Sequence, residues 1–285
     1  MRRLSLALAV LLSALFAAGA GAVEVHAKLP AFVKKAEIKQ ARDEGGRIER
    51  VRQDYLRRAK AGKLDRPSAK KRKGEAGLAK LADEVDAMLA KSDDDRPILV
   101  LVDGPDGVGK SSTMTRLKRA FASRKVGEVH FGAPPKDAEQ VHWVKRFIDA
   151  LPQKGGVMLW DRSYIGRAVY DVHYGFSDKQ LRKQTLREIR DLEGMLRDKV
   201  RIVKFYLDTP GKNLAKTIGK REVLAPEKLA ESDYTSYRDR KAIKKLFLYA
   251  VRKTGREVPW HVIDMSDRTD GRGDMLRILK RALAD

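Results

Sequence analysis

The sequence predicts a three-layer α/β fold built on a parallel sheet, and three observations lead there. The run Ile98-Leu99-Val100-Leu101-Val102 is short, apolar and β-branched, as a strand buried on both faces must be. A glycine-rich turn follows it, and then a stretch with helical character. Downstream, strand-like runs keep alternating with helix-like segments, the pattern of helices packed on both faces of a parallel sheet.

Before that first strand, Leu78, Leu81, Val85, Met88 and Leu89 recur at helical spacing and predict a helix ending near Ser92. After it come a helix over 111–123, a strand over 128–131, a helix over 138–151 and a strand over 157–160. A long helix over 178–197 and a strand over 201–207 follow. Two further helices and a short strand over 260–263 precede a closing helix over 273–284. No internal repeat is visible.

The N-terminal third reads differently. Met1-Arg2-Arg3, an uncharged Leu-rich stretch and Ala17-Ala18-Gly19-Ala20-Gly21-Ala22 describe a secretory signal peptide over 1–22. That reading places the protein in the periplasm or cell envelope, with no membrane span left after cleavage; the competing reading is an uncleaved anchor, since about 20 apolar residues can span a bilayer. A start codon assigned too far upstream would leave it cytoplasmic. Residues 23–75 form a basic arm, expected to be partly helical or disordered. Lys28–Lys80 carries 18 Lys/Arg against 7 Asp/Glu, and the stretch 61–74, with Lys70-Lys71-Arg72-Lys73, reads as a linker.

Across 285 residues, 61 Lys+Arg against 39 Asp+Glu leave a formal charge of +22, which favours an anionic partner. The chain has no cysteine, which excludes disulfides, thiol nucleophiles, Cys-based zinc sites and iron–sulfur clusters. The five histidines show no metal-ligand spacing. Ser163 lacks the G-x-S-x-G setting of a hydrolase nucleophile.

Gly104-Pro105-Asp106-Gly107-Val108-Gly109-Lys110-Ser111 fits G-x-x-x-x-G-K-[ST] between a buried strand and a helix. Gly104, Gly107 and Gly109 let backbone N–H groups turn inward around phosphate oxygens, and the helix adds its positive dipole end. Lys110 supplies a cation for the transferred phosphoryl, and Ser111 a hydroxyl for Mg²⁺. Asp106 lies inside the cradle, where a carboxylate makes sense if it helps hold Mg²⁺ or orients an attacking phosphate oxygen. Val157–Trp160 is an apolar run ending in Asp161-Arg162, at the strand end where open α/β sheets bind ligands. Asp161 is a second candidate for Mg²⁺, and Arg162 and Arg167 are candidate phosphate clamps.

These residues form an ordered series: Gly104, Asp106, Gly109, Lys110 and Thr113, then His142-Trp143, Arg146, Leu151-Pro152 and Gly155. Next come Asp161-Arg162-Ser163-Tyr164, Arg167, Glu193-Gly194-Met195-Leu196, Val203–Leu207 and Pro259–Asp264. The series resembles the family-2 polyphosphate kinases, P-loop kinases related to thymidylate kinase, from about Ile98 to Leu283. The resemblance implies a kinase domain over 76–285 with a helical lid around 210–240. It also implies reversible phosphoryl transfer between inorganic polyphosphate and a nucleoside di- or monophosphate, with Mg²⁺. By the same resemblance Asp106 orients the acceptor and its metal, Lys110 binds the transferred group, and Asp161 serves Mg²⁺. Arg162, Arg167 and Arg221 hold phosphates.

The chain departs from the family pattern at Ser111-Ser112, where Gly-Gly is usual, at Ile165-Gly166, where Tyr-Asn is usual, and in a lid without its Trp-Lys element. The alternatives are an ATP-dependent nucleoside monophosphate kinase of the thymidylate kinase type and a non-catalytic polyanion-binding protein. No nucleic-acid partner is expected, and a homo-oligomer is compatible with the sequence.

Overall fold

The computed structural model describes residues 46–61, 68–132 and 142–284. The expected leader, the start of the basic arm and the segment 133–141 lie outside the described residues. In chain order, α1 (Arg47–Lys60) and α2 (Ala69–Ala90) precede β1 (Ile98–Asp103). Then come α3 (Lys110–Arg119), β2 (Val126–His130), the single turn α4 (Lys145–Ile148), β3 (Val157–Asp161), α5 (Ile165–His173), α6 (Lys179–Leu196) and β4 (Arg201–Asp208). Helix α7 (Gly211–Leu224), a 3-10 turn (Pro226–Lys228), α8 (Glu231–Arg238) and α9 (Arg240–Thr254) lead to β5 (Trp260–Asp264) and α10 (Arg268–Ala282).

The five strands form one parallel sheet in the order β2-β3-β1-β4-β5. All six residues of β1 are buried, because helices cover both faces of the sheet. Ile98, Val100 and Val102 pack in one layer with α2, α3 and α10, while Leu99 and Leu101 join Trp160, Tyr206 and helices α5, α6 and α9 in the other. From β1 the chain builds β2 and β3 on one side, then crosses to build β4 and β5 on the other. The carboxyl ends of β3, β1 and β4 therefore meet at a crevice, the ligand position of such sheets.

Most expected strands and helices are present, with five corrections. The helix expected over 138–151 is, in its described part, only the single turn α4, while 138–141 lie outside the described residues. The stretch 61–74 is not a linker throughout. Ser68 caps α2 by accepting a hydrogen bond from the Lys71 amide at 3.2 Å, so Lys70–Lys73 is helical. Glu75 pairs with Arg116 of α3 through two bonds of 2.7 and 2.8 Å, which ties this basic turn to the core, and the boundary drawn between 75 and 76 falls inside a helix. Where broken helices were expected, residues 47–60 form one helix, α1, which packs on α7. Ile48 sits with Leu214, Ala215, Ile218, Tyr234 and Tyr237 in a third apolar cluster. Helix α5 was not anticipated: nine residues containing Gly166 show too short a pattern to read as a helix. Three α-helices, not two, separate β4 from β5.

Candidate phosphate-transfer site

The loop after β1 is shaped by its glycines. Gly104 adopts φ +148°, and a Cβ there would lie 2.6 Å from the Leu207 carbonyl oxygen, so only glycine lets the chain leave the sheet beside β4. Gly109, at φ +108°, occupies the position before α3 with no side-chain cap, which leaves the first N–H groups of that helix free to meet an anion. Lys110 is buried and folds back over its own loop. Its Nζ donates to the carbonyls of Gly104 at 2.8 Å and Pro105 at 3.1 Å, and it meets Asp106 Oδ1 at 3.5 Å.

Asp106 is the junction of the site. Arg162 donates to its Oδ1 at 2.6 Å, and Ser236 of α8 donates to its Oδ2 at 3.4 Å. Burial opposes its ionisation, but Lys110 and Arg162 outweigh burial and hold the carboxyl down at about 2. The anion is thus secured by two cations from different elements and touched by α8.

Arg162 is the one non-glycine residue with positive φ (66°) among the described residues, a conformation that stores about 1–3 kcal/mol of strain. Its N–H donates to the Val102 carbonyl at 3.0 Å, fixing the end of β3 to β1. Burial works against its charge, but Asp106 and Asp161 overcome that and raise its pKa. Beside it, Asp161 Oδ2 lies 3.2 Å from His130 Nδ1 at the end of β2, while Asp161 Oδ1 is buried with no hydrogen-bond partner.

The other anticipated residues fall around this centre. Arg167 pairs with Asp171 along α5 at 2.9 Å and approaches the Trp143 ring, and its Nε is buried without a partner. Arg221, in α7, pairs with Asp233 at 3.2 Å. Ser111 is exposed in the first turn of α3. Thr113 is buried behind the loop, donating to the Gly109 carbonyl at 3.0 Å and accepting from Arg272 Nε at 3.2 Å. The structure therefore brings Asp106, Lys110 and Arg162 into one contact network with Asp161 at its edge, and leaves Arg167 and Arg221 on their own carboxylates.

A scan against family models matches residues 39–285 to Polyphosphate kinase 2. The chain belongs to the polyphosphate kinase 2 family. It is 26% identical over 190 residues to a polyphosphate:AMP phosphotransferase of Pseudomonas syringae, covering 65% of this chain and 38% of that one. It is 28% identical over 180 residues to ADP-polyphosphate phosphotransferase 2 of Rhizobium meliloti, covering 61% of this chain and 58% of that one. The chain thus spans well under two thirds of these relatives' length. A polyphosphate kinase 2 structure from Arthrobacter aurescens superposes with a TM-score of 0.68 at 20% identity, over 77% of this chain and 84% of that one, and shows the shared fold.

Against the pattern of the polyphosphate kinase 2 family, this chain's departures acquire partners. Ser112, where glycine is usual, donates to the Gly109 carbonyl at 3.0 Å and accepts from Arg272 Nη2 at 2.6 Å, so its hydroxyl bridges the phosphate loop to α10. Ile165 is fully buried in the core, and Gly166 lies against Tyr170 in α5.

Several residues at the site escaped the sequence reading. Asp103, the last residue of β1, accepts from Ser163 Oγ at 2.6 Å and buries its other oxygen without a partner. Burial, reinforced by Asp161, pushes its carboxyl up to about 6 against the pull of Ser163 and Lys110. Its signal was the one used for Asp161: an acid closing an apolar strand. Ser236, Asp233, Arg268 and Arg272 carried no local signal, since each reaches the loop only through the fold.

The donor set suits Mg²⁺. Among the described residues no three His, Cys, Asp or Glu side chains converge on a point, so a Mg²⁺ held here would take only one or two protein carboxylates. Asp161, whose buried Oδ1 has no partner, is such a carboxylate.

Proposed function

We propose that the protein is a polyphosphate:nucleotide phosphotransferase that moves a phosphoryl group reversibly between inorganic polyphosphate and a nucleoside di- or monophosphate, converting ADP or GDP to ATP or GTP. In that direction the terminal P–O–P linkage of the polymer breaks. A phosphate oxygen of the nucleotide forms the new linkage, and the polymer leaves shorter by one unit. The observation that carries this reading is the convergence of Lys110, Asp106 and Arg162 at the mouth of a glycine-built phosphate loop. The names of the relatives, which cite polyphosphate with AMP or ADP, support the same substrates.

Little covalent work is asked of the protein, and rate comes from placing charges and holding the reactants in line. Lys110 leaves its backbone carbonyls to follow the transferred phosphoryl. Arg162 stays on Asp106 and offers its remaining N–H groups to equatorial oxygens. Asp106, ionised across the working pH range, orients the acceptor phosphate. Asp106, Asp161 and Ser111 would hold Mg²⁺, which when bound neutralises phosphate charge.

The test is a panel of AMP, ADP and GDP, each supplied with polyphosphate or with ATP as donor. Polyphosphate-dependent formation of the next higher phosphate supports the proposal, and turnover with ATP alone replaces it with a nucleoside monophosphate kinase. We also propose export, on the residue pattern of 1–22 alone. N-terminal sequencing of the mature protein together with its cell fraction tests it, and an intact Met1 in the cytoplasmic fraction refutes it.

A further inference from the structure

Among the described residues, the buried side-chain polar atoms without a hydrogen-bond partner belong to charged groups, with one exception: the hydroxyl of Tyr170. That hydroxyl is the only polar atom the side chain has, so Tyr170 is wholly unsatisfied. Gly166, Tyr170 and Tyr174 recur at every fourth position along α5 and its C-cap, and so share one face. Gly166 gives the ring its room, since a Cβ there would already lie 3.6 Å from the Tyr170 ring and a longer side chain would displace it. Phe247 of α9 packs T-shaped against the ring with centroids 5.7 Å apart, and Tyr174 stacks on it at 6.5 Å. The Arg162 guanidinium lies 5.9 Å from the ring centre. The charges of Asp106, Arg162 and Asp103 all act on the hydroxyl, which therefore ends beside the junction of the site, yet it is hydrogen-bonded to none of them. Burial and the Asp106 charge push its pKa well above the usual range, so the group stays a neutral donor.

We infer that Tyr170 is an acceptor-binding residue, whose hydroxyl donates a hydrogen bond to the terminal phosphate of the acceptor nucleotide, the group that Asp106 orients. The inference rests on the functional reading above and adds a residue to its site. Tyr170 is not in the ordered series that carries the family resemblance, and it packs against Gly166, one of the positions where this chain departs from the family pattern. A terminal phosphate offers only acceptor oxygens, which a buried O–H donor without a partner matches. A neutral donor also fixes direction without adding a further cation beside Lys110 and Arg162. The free hydroxyl is costly to bury in the empty site, and the bound phosphate removes that cost, so the binding energy it yields is specific to the loaded state.

The test is Tyr170→Phe in the full-length enzyme, which removes one oxygen and keeps the ring against Phe247 and Tyr174. In polyphosphate-dependent transfer the KM for ADP should rise about 10-fold or more, the scale of one hydrogen bond to a charged group. The KM for polyphosphate should stay within about two-fold. Without nucleotide the Tm of the variant should hold or rise, because an unsatisfied hydroxyl has been removed. A hydroxyl with only a structural role would do the reverse, lowering the Tm and leaving the KM for ADP in place. An unchanged KM for ADP, an equal rise in both KM values, a fall in kcat alone or a lowered Tm would overturn the inference. If the wild type transfers nothing from polyphosphate, the functional reading fails. Calorimetric titration with ADP then decides Tyr170 by itself: a weaker Tyr170→Phe supports it, and equal affinities, or no ADP binding by the wild type, refute it.

Discussion

Two clusters of buried charge sit within one domain and are built on opposite rules. Lys204 of β4 and Glu193 of α6 are fully buried: Nζ lies 2.6 Å from each carboxylate oxygen and 2.9 Å from the Thr254 carbonyl, and Tyr164 donates to Glu193 at 2.6 Å. All three ammonium protons are used. Burial still pushes Lys204 down to about 8, against the pull of Glu193. Around the phosphate loop the charges are equally dense but the network is open. One oxygen each of Asp103 and Asp161, Nε of Arg162 and Arg167, and the hydroxyl of Tyr170 are buried without partners. A closed network serves the fold, whereas an open one leaves capacity for a ligand, because an unpaired buried polar group is costly unless something completes it. Tyr164 joins the two, since it lies two residues after Arg162 and anchors the strained turn to the closed cluster.

The largest effect expected from this contrast is on stability. Lys204→Met leaves Glu193 buried and uncompensated and should cost about 3–5 kcal/mol in chemical denaturation. The double change Lys204→Met with Glu193→Leu should recover most of that, and a double variant as unstable as the single one would break the comparison. Next comes catalysis. Lys110→Ala should lower kcat about 10³-fold, the scale for removing a preorganised charge at the reacting group. Its Tm should move by less than about 4 °C, the scale of roughly 1 kcal/mol in a domain of this size.

The smallest effect is a change in pH slope. Asp103 titrates near 6 in the fold against an ordinary 3.8, so between about 4 and 6 the folded state binds the extra proton, and the stability this group contributes is lost as pH rises through that window. Asp103→Asn should flatten the fall in Tm from pH 4.5 to 7. Asp106, held at about 2, has the opposite sign: its contribution is present above 3.8 and lost as pH falls toward 2. An unchanged pH profile in Asp103→Asn would mean that the buried carboxyl is already solvated.

What the sequence revealed follows the same division. Strand β1 and its loop are legible because a continuous apolar run and fixed glycine spacing are local signals; they single out Asp106 and Lys110, and the apolar run of β3 singles out Asp161 and Arg162 in the same way. The start of α2 is hidden in the sequence because Lys70–Lys73 looks solvated, whereas the Ser68 cap and the Glu75–Arg116 pair make it helical. Arg268 and Arg272 were invisible because they lie some 160 residues from the loop they touch, and only the β5–α10 connection brings them there. Asp103 carries the same local signal as Asp161, an acid closing an apolar strand.

The most direct test is nucleoside triphosphate formation from ADP and polyphosphate with Mg²⁺, measured side by side for wild type, Lys110→Ala and the Lys204→Met/Glu193→Leu double variant, each shown to be folded. The expected result is turnover by the wild type and the double variant and a near-silent Lys110→Ala. A fully active Lys110→Ala, or a folded double variant without activity, would contradict the division between an open, ligand-directed cluster and a closed, structural one.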